Sequence, residues 1–378
     1  MSSFWHKIRA DFPILKKSVY LDHASGGPIP RPVYEKITQY YEELSCEADF
    51  AWNKWIDRRE DIRRKAARFI HAEPEEVTFI SSASQGMNWI AELLANQGEV
   101  LTNTCEFPSS TLPWIWRKSK IVWQKPENEK VELRTLKSLL SPSVKTIVTS
   151  FVQYATGFRQ DIKALGEIKG GRYLVVNATQ GLGALEADVK EWNADFLCSN
   201  SYKWLMAGYG SGILYIREKW LPVFQPGSAG WRSMKEPERM DNQRLALKDD
   251  ASRYEMGCPP FAAIFALGAA IDYLSSIGIQ KIQRRILELT DFLILGLEKQ
   301  GLEVISPRAP GRRSGIVVFK VREPEKVRRF LLRGSRKIYV SARGAGIRVA
   351  PHFYNSFEDI EILLKALAKT SDRLGSLL

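Results

Sequence analysis

The segments VVNATQGLGALEADV (175–189) and FLCSNSYKWLMAGYGSGILYI (196–216) decide how this chain is read. Each begins with an apolar run, within 172–176 and 194–199, and then turns abruptly polar. Near-continuous apolar strands of this kind suit a sheet covered by helices on both faces. In such sheets, ligands sit outside the carboxyl ends of the strands. The residues just past each strand are therefore the candidates for chemistry. After the first come Asn177 and Gln180, where a polar side chain can meet a ring nitrogen or a ring hydroxyl, or can simply make a turn. After the second come Asn200, Tyr202 and Lys203, followed by glycines at 208, 210 and 212. A lysine flanked by aromatic and small residues can be partly desolvated. Desolvation lowers an amine's pKa and makes it a Schiff-base nucleophile. Taken alone, Lys203 reads equally as a surface lysine beside a loop.

Working outward, helix-like periods at 31–46, 55–71 and 85–96 alternate with short apolar runs at 77–81, 99–103, 120–124, 145–151 and 211–216. Alternation predicts a mostly parallel α/β sheet. Ser82-Ala83-Ser84-Gln85-Gly86 follows the 77–81 strand and opens a helix. Its free N–H groups and hydroxyls can hold a phosphate, or Ser82 and Ser84 can serve as ordinary caps. Beyond a turn-rich stretch at 224–260, two long helices are expected at 261–277 and 279–300. Strands follow near 302–306, 314–321, 337–341 and 346–350, with helices at 323–334 and 356–377. This predicts two units: a large one over 19–260, and a smaller α+β one over 261–378 that also takes in residues 1–18.

Composition narrows the function. With 378 residues and 44% hydrophobic content the chain can bury a large core. No apolar run reaches the length of a membrane span, and MSSFWHKIRADFPILKK lacks the features of a signal peptide, so a cytoplasmic protein is expected. Four scattered cysteines and four scattered histidines form no CxxC or HExxH pattern, so neither a disulfide framework nor a metal site is expected. The net charge is +12. The basic residues are interspersed with acids on helix surfaces, so no nucleic-acid partner is expected.

In their order and spacing, these segments resemble the class V aminotransferases, the family that includes cysteine desulfurases, isopenicillin N epimerase-like proteins and kynureninase. VYLDHASGGPIP, CEFPSS, SFVQYATGFRQDI and GIRVAPHFYNSFEDIEILLKAL extend the likeness over roughly residues 19–370. The resemblance implies a fold type I architecture with a mostly parallel seven-stranded sheet, a homodimer, and pyridoxal 5'-phosphate carried on Lys203. It implies that Ala83, Ser84, Asn200 and Tyr202 face the phosphate. Phe107 would stack on the ring, Asn177 would face the ring nitrogen, and Gln180 the phenolic oxygen. Arg348 would bind the substrate carboxylate, with His23 and Tyr154 on the substrate side. Gly257, Cys258, Trp231 and Arg232 would reach the partner subunit's site, and Trp52 and Trp55 would help line the substrate pocket.

The chain departs from the family pattern twice. Asn177 stands where relatives carry aspartate, and a neutral amide cannot hold the ring nitrogen protonated. The hairpin IYVSARGAGIR is short and lacks the desulfurase cysteine, which disfavours a persulfide mechanism. The implied activity is chemistry at the amino group and Cα of a small amino acid, with transamination as the family default. Carbon–sulfur elimination, epimerisation, and a cofactor-binding protein with impaired catalysis and a regulatory role are the alternatives.

Overall fold

The computed structural model describes residues 3–126 and 131–374. Helix α1 (Ser3–Arg9) and strand β1 (Ser18–Tyr20) lead into α2 (Arg31–Glu47) and α3 (Trp52–Phe69). Next come β2 (Val77–Ile80), α4 (Ala83–Leu94), β3 (Glu99–Asn103), α5 (Pro108–Trp116) and β4 (Ile121–Gln124). They are followed by α6 (Leu133–Ser138), β5 (Val144–Ser150), α7 (Ile162–Ile168), β6 (Tyr173–Asn177), β7 (Phe196–Asn200) and β8 (Gly212–Ile216). After a stretch without long elements come α8 (Phe261–Ile277), α9 (Ile279–Lys299), β9 (Val317–Lys320), α10 (Pro324–Leu332) and β10 (Lys337–Tyr339). The order closes with β11 (Ser341–Arg343), β12 (Gly346–Val349) and α11 (Phe357–Leu374).

The central sheet has seven strands in the order β2-β8-β7-β6-β5-β3-β4. Only β8 runs antiparallel to its neighbours. Successive strand residues bury into opposite cores, which explains the unbroken apolar runs. Leu174, Val176 and Leu197 enter a core shared with α2, α3 and α8. Val175, Phe196 and Cys198 enter one capped by Met87, Ile90 and Leu94 of α4. Each fully buried aliphatic side chain contributes about 1.5–3 kcal/mol.

A third core gathers Val19 and Leu21 with Leu289, Phe319, Val327, Ile338, Ile347 and Leu363. Parallel pairing of β1 with β10 ties the N-terminal segment to this unit. Helix α8 lies on α2 and α3 and shares the large core. Helix α9 enters both the large core, with Ile282 and Ile286, and the third, with Leu289, Leu293 and Leu297. The strand expected at 302–306 forms only an isolated bridge, Val304 to Phe319. A side chain takes a ladder position there: Val318 N–H donates to Ser306 Oγ at 2.8 Å instead of to a carbonyl. The short helices α5, α6 and α7 escaped the periodicity reading because each spans nine residues or fewer.

No single described helix is long and apolar enough to cross a membrane. Helices α8 and α9 pass that test only as a pair bent by 78°.

One buried ion pair stiffens the sheet. Lys169, after α7, meets Asp195 at the start of β7, and both are buried. Asp195 also accepts from Leu174 N–H at 2.9 Å and Trp220 Nε1–H at 2.7 Å. It thus links α7, β6 and the exit of β8.

Candidate active site

Strands β2, β3, β5, β6 and β7 run the same way, so their carboxyl ends open on one side of the sheet. A cleft of about 480 Å³, counted to its open mouth, lies there. It is lined by Ser82, Ala83 and Ser84 after β2, Phe107 and Ser109 after β3, and Ser150 and Tyr154 from β5 onward. Asn177, Thr179 and Gln180 after β6, with Asn200, Tyr202 and Lys203 after β7, complete it. A sheet of parallel strands whose loops converge at a strand end is the usual ligand-binding place in α/β proteins.

Lys203 sits on a tight loop whose course two glycines permit. A Cβ on Gly27 would lie 2.4 Å from the Lys203 carbonyl oxygen, and one on Gly183, at φ +100°, 2.5 Å from that of Trp204. Gln180 fixes the loop from the other side. It accepts from Trp204 Nε1–H at 2.9 Å and donates to the Ala24 carbonyl at 2.9 Å. Lys203 is 8% exposed, and its Nζ lies 5.6 Å from the Phe107 ring centroid and 5.8 Å from that of Tyr202. Burial first, and then the charges of Arg348 and Arg343, push its amine down to about 7. A substantial share of a lysine in this state is neutral near pH 7, as an amine nucleophile must be.

At the other end of the cleft, Ser82 caps α4, its Oγ accepting from Gln85 N–H at 3.2 Å. Helix geometry leaves the N–H groups of Ala83 and Ser84 without intrahelical acceptors, facing outward with the positive end of the helix dipole. Two buried polar atoms on the cleft wall, Asn200 Oδ1 and Thr179 Oγ1, have no hydrogen-bond partner among the described residues. Buried polar atoms left this way are costly unless a ligand or water meets them. A buried amine, a helix N-terminus and polar atoms awaiting partners are what pyridoxal phosphate needs: a Schiff-base lysine, a phosphate cradle and orienting groups. The residues present fit the cofactor.

Arg348, on β12, is 2% exposed. It donates Nη1–H to the Tyr154 carbonyl at 3.1 Å and Nη2–H to Ser25 Oγ at 2.8 Å, and Asp22 Oδ1 lies 3.8 Å away. Its buried Nε has no hydrogen-bond partner among the described residues. Burial holds its guanidinium down at about 10, with Asp22 pulling the other way.

Ala83, Ser84, Phe107, Tyr154, Asn177, Gln180, Asn200, Tyr202 and Lys203 thus come together in one cleft, and Arg348 adjoins it. Two expectations need correction, His23 and the pocket-lining tryptophans. His23 does not line the cleft: it is fully buried, edge-on to Trp204 at 5.2 Å and His352 at 4.2 Å. Desolvation holds its imidazole well below the usual range, and its buried Nε2 has no hydrogen-bond partner among the described residues. Cys258, expected at the partner subunit's site, is exposed in a groove with Phe79, Trp89 and Tyr254. Of the aromatic residues expected to line a substrate pocket, only Tyr154 lies in the cleft. Trp55 is buried and donates to Glu43 at 2.9 Å, and Trp52 stacks on Trp231 at 6.5 Å. Arg232 is buried and paired with Glu238 at 2.5 Å within its own chain.

Asn177 is held at both ends. Its Nδ2 donates to Ser110 Oγ at 2.9 Å, and its Oδ1 accepts from Thr179 N–H at 3.1 Å. Directly beside it in the sheet register is Ser150. Ser150 Oγ donates at 2.5 Å to Glu106, a buried carboxylate that also accepts from Ser150 N–H, Asn103 and Gln153. Glu106 was missed by reading the sequence. Its only signal there is its position one residue before Phe107.

The model of the family "Aminotransferase class-V" matches residues 19–363. An "Uncharacterized aminotransferase YcbU" of Bacillus subtilis is 27% identical, the match covering 94% of this chain and 95% of that one. A "Probable cysteine desulfurase" of Pyrococcus abyssi is also 27% identical, covering 98% of each. Among solved structures, the apo cysteine desulfurase of Thermococcus onnurineus NA1 superposes with a TM-score of 0.89 at 25% identity, covering 97% of this chain and 98% of that one. The cystine C–S lyase C-DES, solved with cysteine persulfide, shares the fold at a TM-score of 0.86 and 22% identity, covering 94% of this chain and 99% of that one. With the family model spanning the whole central sheet and every residue of the cleft, the chain belongs to the class V aminotransferase family, and its cofactor is pyridoxal phosphate.

Proposed function

We propose that this enzyme acts at the amino group and Cα of a small amino acid, with Lys203 moving the proton and Arg348 holding the carboxylate. The carrying observation is the placing of two buried cationic side chains at one cleft, a lysine lowered to about 7 and an arginine with a free buried Nε–H. When bound, pyridoxal phosphate supplies the electron sink for charge at Cα. With the cofactor in place, Lys203 would be the base at Cα, its amine lowered to about 7, near the working pH, where general-base catalysis is most efficient. Arg348 offers the planar fork suited to a carboxylate, and its bonds to Tyr154 and Ser25 fix that fork before substrate arrives. Transamination is the reading that the family supports.

One observation favours a second reading, β-elimination. The amide of Asn177 is paired with a hydroxyl and carries no formal charge, and the buried Glu106 carboxylate is bonded to the neighbouring Ser150 rather than to Asn177. Transamination must hold charge at Cα through two proton transfers, whereas elimination discharges it into a leaving group. A weak sink therefore penalises transamination more. None of the four cysteines lines the cleft, so sulfur transfer through an enzyme thiol has no support.

The test is an amino acid panel with and without a keto-acid acceptor. New amino acid formed only with acceptor establishes transamination. Pyruvate with ammonia or sulfide formed without acceptor establishes elimination. Arg348→Met should raise KM by about 10- to 100-fold, the value of one to two charge-assisted hydrogen bonds. An unchanged KM across the panel refutes the carboxylate role.

A further inference from the structure

Strands β11 and β12 form an antiparallel hairpin in which Ser341 faces Arg348 and Arg343 faces Gly346. Directly opposed residues share a face, as do residues two apart on one strand. Ser341, Arg343 and Arg348 therefore project from the same side of the hairpin, and Gly346 places no side chain beside Arg343. The contacts agree. Ser25 Oγ accepts from Arg348 at 2.8 Å and stands 3.5 Å from Arg343 Nη2, while Ser341 Oγ lies 2.8 Å from it.

Two guanidinium groups thus converge on one hydroxyl. The acid nearby is Asp22, which lies 3.8 Å from Arg348 and already accepts from Ser341 Oγ at 2.6 Å. Arg343 is exposed, its Nη1 donates to the Ala342 carbonyl at 2.8 Å, and it makes no ion pair among the described residues. Two permanent cations, Arg343 and Arg348, thus face one carboxylate on this side of the cleft. Like charges held together with so little compensation select for an anion with more than one charge. Arg343 also depresses both the Lys203 amine and the Arg348 guanidinium, so its charge acts directly at the site.

We infer that Arg343 is a second anion-binding residue and that the enzyme takes amino acids whose side chain ends in a carboxylate. This rests on the reading that Arg348 holds the α-carboxylate. Arg348 is buried and prearranged for the group common to all amino acids, whereas Arg343, one step toward solvent, meets the group that varies. A guanidinium so exposed also stays hydrated and mobile enough to accept side chains of different length.

The test uses the holoenzyme and two probes of similar chain length, succinate and propionate, with binding read by calorimetry. Wild type should bind succinate at least tenfold more tightly. Arg343→Met should remove that preference while leaving propionate affinity within about twofold, and Arg343→Lys should restore part of it. Arg348→Met should weaken both probes. An equal preference in wild type and Arg343→Met overturns the inference, as does a wild type that binds succinate no better than propionate, or does not bind it. If Arg348→Met leaves both affinities intact, the carboxylate role of Arg348 fails, and the succinate-to-propionate ratio still judges Arg343.

Discussion

Replacing Lys203 with methionine should stabilise the cofactor-free protein, by an amount that depends on pH. In the folded state the amine is pushed down to about 7 from an ordinary 10.5, chiefly by burial. The unfolded chain therefore binds the proton more tightly than the folded one, and between these values stability rises with pH. The lysine's cost is full below about pH 7, shrinks as pH climbs, and vanishes above about 10.5. At 1.36 kcal/mol per unit, the cost is about 4 kcal/mol at pH 7.5 and about 1.4 kcal/mol at pH 9.5. Methionine has a similar length and no charge, and Lys203 Nζ makes only ring contacts, to Phe107 and Tyr202, so little else is lost. Urea titrations of both apo-proteins at the two pH values read the difference directly, since all other ionisable groups cancel. The variant's advantage should fall by about 2.5 kcal/mol between pH 7.5 and 9.5. An advantage that does not change with pH would refute the desolvated-amine account.

Two further outcomes follow from specific contacts. Asp195→Ala strands Lys169 as a buried unpaired cation and should cost about 3–5 kcal/mol in chemical denaturation, whereas a loss under about 1 kcal/mol would mean that water reaches the pair. Asn177→Asp places a carboxylate next to Ser110, strengthens the electron sink and should shift the visible cofactor band and its pH dependence. An unchanged spectrum would mean that residue 177 does not act on the ring.

The central sheet was legible because its strands bury both faces, leaving unbroken β-branched runs such as Leu174–Val176 and the run at 145–151. Lys203 and Asn200 were legible for a related reason: the change from apolar to polar marks where a strand leaves the sheet. What failed to show were contacts made by distant segments. His23 reads as a polar residue near a glycine turn, and only the packing of Trp204, His352 and Tyr354 around it reveals a core imidazole. Glu106 reads as a loop acid, yet β3 and β5 close around its carboxylate with four donors. Arg343 gains meaning only from the hairpin register that sets it on the same face as Arg348. The packing of α8, apolar around most of its surface, on α2 and α3, more than 190 residues earlier in the chain, likewise shows only in the fold.

The central claim is that Lys203 carries the cofactor. Reduction of the purified holoenzyme with borohydride, followed by protease digestion and mass spectrometry, tests it most directly. The account predicts the pyridoxyl group on the peptide containing Ser201-Tyr202-Lys203-Trp204, and none in Lys203→Met. A pyridoxyl group on another lysine, or an equal yield from the Lys203→Met protein, would contradict it.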